Sequence, residues 1–498
     1  MRRPARFLWR LIPTGLRHRL FQRTVKSKNP FVRAALRLAA TLTLRHHRFT
    51  VSYLWPEMRG LDYLALLLWS VFLRFHTLAL GIMWRRGHLA RRWLRPRRSE
   101  PANQTVVHAT SSFDLGGTQT QIKHLCTAAG ARYRHDATEI FPELNFLYRR
   151  DVTVDPARYV QGRLWRRTVG RLVVNRNYRS SQLIQIYKLM CDFRLARPDV
   201  VVGWGHELCV TTFIAAALAR VPHIVFCIRT VNPTYGWVAP PFPDLLRNAH
   251  RHMLPNVSQV VVNSTLLQRD HAAWVGMPPE AITVCPNGVS VAALTPERAA
   301  AARRELRAAY GIADDVIVIL NVGRFSNEKG QWSMVEANRL LRRNGSLPPF
   351  CIVLCGDGVT LDPVKAAAEA EGMRNMIFPG RTDRVREWLS AADIFVMPSD
   401  FEGMPNAMME AMAAGLPCVS TDRSGALDVA RPDREALYYG PRDAAQLAVH
   451  LERLLRNPGE AAALGRAAAA RITEFSVSRF VRDFETVLDR ARAAAPVN

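Results

Sequence analysis

The chain has 498 residues, of which 48% are apolar, so sizeable buried cores can form and an intrinsically disordered chain is excluded. At about 150 residues per domain, this length predicts about three units. The net charge of +26 is concentrated at the N-terminus, because residues 1–100 contain 22 basic and three acidic side chains. The rest of the chain carries a net charge of +7, which is close to that of an ordinary globular protein.

The N-terminal region, residues 1–103, is predicted to be basic, helical and bound to a membrane surface. Residues 61–84 are long enough to span a bilayer, but Arg74 lies near their centre, where a charge costs about 2.5–3.5 kcal/mol. On a helical wheel Asp62, Ser70 and Arg74 share the polar half. This pattern favours a helix in the membrane interface; a bilayer span and a helix packed on the main body are the alternatives. The interleaved apolar residues suit lipid better than nucleic acid, which is not expected as a partner.

Two further features predict that the main body stays in the cytoplasm. The N-terminus has no sustained apolar segment and no cleavage site, so a secretory signal peptide is not predicted. The eight cysteines form no CxxC pair, and buried reduced thiols are expected rather than disulfides or a zinc site. With the basic N-terminal region, these features predict a peripheral or monotopic protein on the cytoplasmic face of the cell membrane.

After residue 103 the composition changes, and short apolar runs alternate with helical patterns. Strands are predicted at 104–109, 199–202, 223–228 and 259–263, then at 316–322, 350–355, 376–378, 394–397 and 418–420. Helices are predicted at 118–129, 208–219, 332–342, 363–371, 385–391, 406–414 and 477–494. The fold class is therefore α/β, with two doubly wound Rossmann-like domains (104–295 and 296–474) that face a central cleft, followed by a C-terminal helix in 475–498.

The first loop after a predicted strand contains Gly116 and Gly117, which come directly before a helix. Paired glycines at a helix N-terminus let backbone N–H groups approach a phosphate or another substrate group. A purely structural tight turn has the same pattern, so both interpretations stay open.

A sharper signal follows the first strand of the second series. Gly323, Arg324, Lys329 and Gly330 lie between that strand and the next helix. Arginine offers planar bidentate contacts and lysine a point charge, so the two side chains together can neutralise a diphosphate.

A second loop in the same domain carries two carboxylates. Glu402 lies in the loop after a predicted strand, and Glu410 lies eight residues later in the following helix. Solvated surface acids are the plain alternative, but the apolar strand and the small residues after Glu410 argue against free exposure. The backbone amides from Gly403 to Asn406 are expected to point at a ligand above the helix.

These motifs resemble those of the retaining glycosyltransferases of family four, which have the two-domain glycosyltransferase-B fold. The matching residues are Gly116 and Gly117, Asn263 and Ser264, Pro286 to Gly288, Gly323 and Arg324 with Lys329 and Gly330, Gly356 to Gly358, and Glu402 with Glu410. They follow the order and spacing of the family over about residues 104–495. Residues 1–100 lie outside the resemblance.

The resemblance implies transfer of a sugar from a nucleoside diphosphate sugar, with UDP as the first expectation for the nucleotide. It implies that Arg324 and Lys329 hold the diphosphate beside Gly323, and that Glu410 binds the ribose hydroxyls. It places Glu402 against the donor sugar, above a loop formed by Gly403, Met404, Pro405 and Asn406. A front-face mechanism is implied, in which Glu402 positions the donor and stabilises charge. No DxD motif is placed to hold a metal ion, and no metal or other cofactor is expected.

In this family the N-terminal domain binds the acceptor, and the resemblance makes His206 a candidate catalytic residue on that side, near the reacting sugar. Arg229 follows the next predicted strand, where it could contact a phosphate or carboxylate of the acceptor or donor. His206 departs from the common His-x-His pattern, and a structural role is the alternative for both residues. The resemblance also implies that the C-terminal helix crosses back to the N-terminal domain. We expect a membrane-associated enzyme of surface polysaccharide or exopolysaccharide assembly with a polyprenol-linked acceptor. A sugar-nucleotide-binding subunit without activity, and a soluble enzyme with a small acceptor, are the alternatives.

Overall fold

The computed structural model describes residues 104–111, 116–128, 132–139, 182–234, 243–290, 294–343 and 345–496. The N-terminal region lies outside these residues, and with it the predicted interfacial helix in 61–84. Apart from residues 182–184, the described residues belong to one structural unit, which comprises residues 101–162 and 185–498. Among the described residues, no helix is both long enough and apolar enough to cross a membrane.

The first sheet has six parallel strands in the order β2-β1-β3-β4-β5-β6. They are β1 (Thr105–Thr110), β2 (Arg134–Glu139), β3 (Val200–Trp204), β4 (His223–Ile228), β5 (Gln259–Val262) and β6 (Ile282–Val284). Its helices are α1 (Gly117–Thr127), α2 (Gln182–Ala196), α3 (His206–Ala219), α4 (Pro243–Met253) and α5 (Thr265–Val275). Every residue of β1, β3 and β4 is buried, as expected for parallel strands covered on both faces.

The second sheet also has six parallel strands, in the order β12-β11-β10-β7-β8-β9. They are β7 (Ile317–Val322), β8 (Phe350–Cys355), β9 (Met376–Gly380), β10 (Ile394–Met397), β11 (Cys418–Thr421) and β12 (Ala436–Tyr439). Its helices are α6 (Pro296–Ala309), α7 (Gln331–Arg342), α8 (Leu361–Ala370), α9 (Val385–Ala391), α10 (Asn406–Ala413), α11 (Ala426–Val429), α12 (Ala444–Arg456) and α13 (Pro458–Ile472). Because β7 and β10 are neighbours, the loops that follow them meet at one edge of the sheet.

The last helix, α14 (Val477–Ala493), packs on the first sheet although it follows the second in sequence. Phe480, Phe484 and Leu488 lie in the same core cluster as Val106 and Val202. The chain therefore joins the two sheets twice, once after β6 and once before α14.

The predicted fold class, α/β with two doubly wound Rossmann-like sheets, is confirmed. Each strand and helix predicted after residue 103 is present, with ends that differ by at most two residues. The sequence does not predict β2, β6 and β12. Strand β2 has the polar sequence RHDATE, and its residues 135–138 are buried. His135 and Thr138 have hydrogen-bond partners inside the fold, and Asp136 pairs with the exposed Arg134 of the same strand.

A buried ion pair fixes α2 against β2. Lys188 Nζ lies 2.8 Å from Asp192 Oδ2 and donates to Thr138 Oγ1 at 3.1 Å, and the Lys188 and Asp192 side chains are 3% and 0% exposed. Thr138 Oγ1 in turn donates to Asp192 Oδ2 at 2.7 Å. Removing one member of such a pair leaves the other charge buried without its partner.

We predict that Asp192→Ala lowers the free energy of unfolding by about 3–5 kcal/mol, because the Lys188 ammonium stays buried. The double variant Lys188→Met/Asp192→Leu should lose much less, since no charge remains inside. Urea unfolding of the three proteins checks this. Equal losses in the single and double variants would contradict the argument.

Candidate functional site

The loops after β7 and β10 are held in contact by their backbones. Gly330 has φ +67°, and a Cβ atom there would lie 2.0 Å from the carbonyl oxygen of Pro398. Only glycine fits both the left-handed conformation and this close approach. Nearby, the backbone N–H of Asp400 donates to the carbonyl oxygen of Glu328 at 2.8 Å. The two loops therefore form one rigid surface at the carboxyl end of the second sheet.

An ion pair joins the side chains of these loops. Lys329 Nζ donates to Glu402 Oε1, and Ser399 Oγ donates to the same oxygen at 2.9 Å. The Lys329 and Glu402 side chains are 26% and 17% exposed, so each is partly accessible to solvent while its charge is balanced by the other. The structure thus brings together the predicted phosphate-binding lysine and the predicted sugar-binding carboxylate.

Arg324 lies at the rim of this surface. Its side chain is 70% exposed, and Nη2 pairs with Glu328 Oε1 at 3.0 Å. The backbone of the neighbouring Gly323 is held by the end of β8 and the residue after it. Its N–H donates to the carbonyl oxygen of Cys355 at 3.0 Å, and its carbonyl oxygen would lie 1.9 Å from a Cβ atom on Gly356. An exposed guanidinium on an ordered backbone can reach an anionic ligand at little conformational cost.

The predicted donor loop and the predicted glycine loop meet directly. Asn406, the first residue of α10, donates from Nδ2 to the carbonyl oxygen of Gly117 at 3.1 Å. Pro405 precedes it as the helix N-cap, and Gly116 has the same position before α1. The N-termini of α1 and α10 are thus joined by a hydrogen bond, and each presents backbone N–H groups that can attract an anion. The four residues before Gly116 lie outside the described part of the chain.

Arg229 supports this junction from the first sheet. Its side chain is buried, its guanidinium lies 4.7 Å above the Trp204 ring, and Nη1 donates to Asn287 Oδ1 at 2.7 Å. Asn287 Nδ2 then donates to Asn406 Oδ1 at 2.7 Å, which directs Nδ2 of Asn406 towards Gly117. Arg229 thereby sets the orientation of both amides; a contact of Arg229 with a phosphate or carboxylate stays a prediction.

Gly403 and Met404 are enclosed by the first sheet and its loops. A Cβ atom on Gly403 would lie 2.4 Å from the carbonyl oxygen of Arg229, so no larger residue fits. Met404 is buried, and its sulfur accepts a hydrogen bond from the Asn287 N–H at 3.1 Å. The residues that position the loop therefore come from both sheets.

Glu410 faces a cavity of about 330 Å³ between α1 and α10. Thr120, Gln121 and His124 line this cavity from the first half, and Arg386 and Glu410 from the second. Burial raises the pKa of Glu410 above its ordinary value of 4.5, and the nearby Arg386 opposes this shift. A half-buried carboxylate in a cavity of this size is suited to accept hydrogen bonds from ligand hydroxyl groups.

His206 begins α3 directly after β3 and is buried. Its ring lies 5.2 Å from that of Trp274, 5.5 Å from His271 and 5.8 Å from His250, and Nδ1 lies 3.5 Å from Thr230 Oγ1. Burial, followed by the proximity of His271 and His250, holds the pKa of His206 well below 6.5. The imidazole is therefore neutral at physiological pH; its acceptor-side role stays a prediction.

The sequence does not predict the contacts of two residues that shape the site. Asn287 lies inside a motif that was recognised, but its contact with Asn406 has no signal in the sequence. Asp428 of α11 accepts from the N–H and Oγ1 of Thr265 at 2.5 and 2.6 Å, and so caps α5 from the other sheet. Within the described ranges, no cluster of three His, Cys, Asp or Glu side chains could hold a metal ion.

Two family models match the chain. The model for glycosyl transferases group 1 matches residues 302–471, and the model for glycosyltransferase family 4 matches residues 115–293. The first match covers the second sheet with its loops, and the second match covers the first sheet apart from β1. The chain belongs to glycosyltransferase family four and has the glycosyltransferase-B fold.

Individual relatives agree with this assignment. The chain is 32% identical, over 34% of its length and 44% of the relative, to the amylovoran biosynthesis glycosyltransferase AmsK of Erwinia amylovora. It is 30% identical, over 49% of its length and 62% of the relative, to the UDP-Gal:alpha-D-GlcNAc-diphosphoundecaprenol alpha-1,3-galactosyltransferase of Escherichia coli. The matches therefore span less than two thirds of these curated relatives.

A solved structure shares the fold over most of the chain. Anabaena HepE (Alr3699), crystallised in complex with UDP-glucose, aligns with a TM-score of 0.61 at 18% identity. The alignment covers 77% of this chain and 99% of that one. At this identity the likeness shows the shared fold.

The raised pKa of Glu410 predicts a stability effect with a definite sign. The folded protein binds a proton at Glu410 more tightly than the unfolded chain, so ionisation of this carboxyl destabilises the fold as the pH rises through its folded pKa. Glu410→Gln should therefore melt at a higher temperature than the wild type at pH 7.5, with a difference that disappears below pH 4.5.

The matched control is Glu369→Gln, whose side chain is 67% exposed on α8 and should show no such difference. Thermal unfolding of the three proteins between pH 4 and 8 checks the prediction. A Glu410→Gln protein that melts below the wild type at pH 7.5 would contradict it.

Proposed function

We propose that this protein is a retaining glycosyltransferase that transfers a hexose from a UDP-hexose to a lipid-linked saccharide in the biosynthesis of a surface polysaccharide or exopolysaccharide. The observation that carries the proposal is the pairing of Lys329 with Glu402 at the carboxyl edge of the second sheet, beside the exposed Arg324. This edge is where α/β folds of this type bind their ligands.

The donor diphosphate is proposed to bind between Lys329, Arg324 and the N-terminus of α10. Lys329 and Arg324 supply two positive charges, and the amides at the start of α10 supply hydrogen-bond donors. Glu410, in the adjoining cavity, would accept hydrogen bonds from the ribose hydroxyls. The choice of UDP is supported by the complex of HepE with UDP-glucose and by the UDP-galactose named for the Escherichia coli relative.

Binding of the diphosphate would draw Lys329 away from Glu402. Negative charge grows on the diphosphate as the bond to the sugar breaks, and Lys329 and Arg324 stabilise that charge. The released Glu402 carboxylate would then accept hydrogen bonds from hydroxyls of the donor sugar and hold its ring. In the front-face route the acceptor hydroxyl would attack the anomeric carbon on the face from which the diphosphate leaves. An oxygen of the departing diphosphate would take the hydroxyl proton, and the configuration at the anomeric carbon would be retained.

The acceptor is proposed to bind on the first sheet near His206, with its lipid carrier at the membrane surface. Two observations support a lipid-linked saccharide. The Escherichia coli relative is named for a diphosphoundecaprenol-linked acceptor, and residues 1–100 of this chain carry 22 basic side chains that suit an anionic membrane. The amylovoran relative supports a place in polysaccharide assembly.

We predict that Arg324→Ala and Lys329→Ala each lower turnover by at least about tenfold, because a charge-assisted contact contributes about 1.5–3 kcal/mol. The measurement is transfer of labelled hexose from UDP-hexose to a lipid extract. The control is Lys365→Ala, which removes a half-exposed lysine on α8 and should keep full activity. Near-wild-type turnover in both variants would remove the diphosphate assignment.

We predict that the protein is held on the membrane by charge and by apolar side chains of residues 1–103. Each Lys or Arg near an anionic surface contributes about 1 kcal/mol, and salt screens that contribution. High salt should therefore release only part of the protein from membranes, and carbonate or mild detergent most of it. Resistance to carbonate would indicate a bilayer span in 61–84. A soluble protein in cell lysates would favour a small soluble acceptor.

A further inference from the structure

We infer that Arg442 is a positioning residue of the donor site, which acts through Asp400 on both Lys329 and Glu402. The inference rests on the proposed function for its catalytic consequences, and on the contacts below for its structural ones. Arg442 lies in the loop between β12 and α12, outside the motifs that the sequence analysis recognised.

Arg442 holds the Asp400 carboxylate with three hydrogen bonds. Nε donates to Oδ1 at 3.1 Å and to Oδ2 at 3.0 Å, and Nη2 donates to Oδ2 at 2.6 Å. The Asp400 side chain is 10% exposed and that of Arg442 is 57% exposed, so the guanidinium covers the carboxylate from the solvent side. A planar guanidinium bound in this way fixes the carboxylate in direction as well as in charge.

Asp400 connects this contact to both donor loops. Its own N–H donates to the carbonyl oxygen of Glu328, the residue before Lys329. It lies between Ser399, whose hydroxyl donates to Glu402, and Glu402 itself two residues later. The Asp400 side chain, held by Arg442, therefore fixes a segment whose backbone is bonded to the loop of Lys329. The same segment carries Glu402, the partner of Lys329 in the ion pair.

The backbone of Arg442 indicates that this contact is held against strain. Arg442 has φ +63°, in the left-handed region that favours glycine. Such conformations persist where the surrounding structure holds them, and they cluster at functional sites. On the other side Asp443 caps α12 by accepting from the Gln446 N–H at 2.9 Å, so the loop is anchored to a helix.

The expected consequence is a loss of precision rather than a loss of a ligand contact. Without Arg442, the Asp400 carboxylate stays largely buried without its counter-ion, and residues 399–402 shift relative to Lys329. Small displacements of reacting groups lower kcat strongly, and they change donor affinity much less when the binding groups themselves remain.

The test compares Arg442→Gln, Arg442→Lys and Arg442→Gly in the full chain, with Arg456→Gln as the control for an exposed arginine of an ion pair on α12. We expect Arg442→Gln to lower kcat about tenfold with a KM for UDP-hexose within about threefold of wild type. Arg442→Lys should recover part of the loss because it keeps the charge. Arg442→Gly should stay as slow as Arg442→Gln, although glycine relieves the left-handed backbone.

A double variant distinguishes an effect of Arg442 that acts through Asp400 from an independent loss of activity. If Arg442 acts through Asp400, the double variant Arg442→Gln/Asp400→Asn should be no slower than the slower single variant. Wild-type kcat in Arg442→Gln or in Arg442→Gly, or additive losses in the double variant, would overturn the inference.

Amide hydrogen exchange tests, without any substrate, whether Arg442 holds the two loops in place. Arg442→Gln should speed amide exchange in segments 326–330 and 399–406, and leave β1 to β4 of the first sheet unchanged. If the wild-type protein transfers no sugar, the proposed function fails while this measurement still tests the inference. Unchanged exchange in both segments would overturn the role of Arg442 whatever the enzyme assay shows.

Discussion

Lys329 and Glu402 form an ion pair across the ends of two neighbouring parallel strands, and the arrangement of the candidate site depends on this contact. Parallel strands bring their following loops to the same edge, so residues 73 positions apart in sequence become partners. Gly330 and Pro398 set the spacing of the loops, and Ser399 directs the carboxylate. A partly buried pair of this kind balances its own charges, and under the proposed function a diphosphate would have to compete with Glu402 for the ammonium.

The second requirement is that both sheets contribute to one site. Arg229, Asn287, Asn406 and Gly117 form a continuous set of hydrogen bonds that runs from the core of the first sheet to the start of α10 and back to α1. Each amide is oriented by the group that donates to it. The guanidinium of Arg229, which can only donate, therefore fixes the donor-to-acceptor direction of all these hydrogen bonds. Thr265 and Asp428 add a second contact between the halves, and α14 ties the end of the chain to the first sheet. The loops of the two sheets are thereby held in a fixed relation to one another.

The sequence predicted those parts of the fold that rest on local patterns. Apolar runs such as β4 and β8 were found at their observed limits, and Lys329 and Glu402 were selected because they follow strands in a glycine-containing loop. Strand β2 was missed because most of its buried side chains are polar, and partners such as Asp192 for Thr138 lie far away in the sequence. The same limit applies to Asn287, whose partners lie in another part of the chain. A sequence shows which residues could carry charge or bind phosphate, but not which distant residues orient them.

The most direct test of the central claim is the affinity for UDP, measured by calorimetry, in the wild type and in the Glu402→Gln and Lys329→Met variants. If Lys329 is shared between Glu402 and the diphosphate, removing the competing carboxylate charge should leave UDP binding as tight as in the wild type or tighter, whereas Lys329→Met should weaken it by about tenfold or more. The account would be contradicted by the opposite pattern, in which Glu402→Gln weakens UDP binding and Lys329→Met leaves it unchanged.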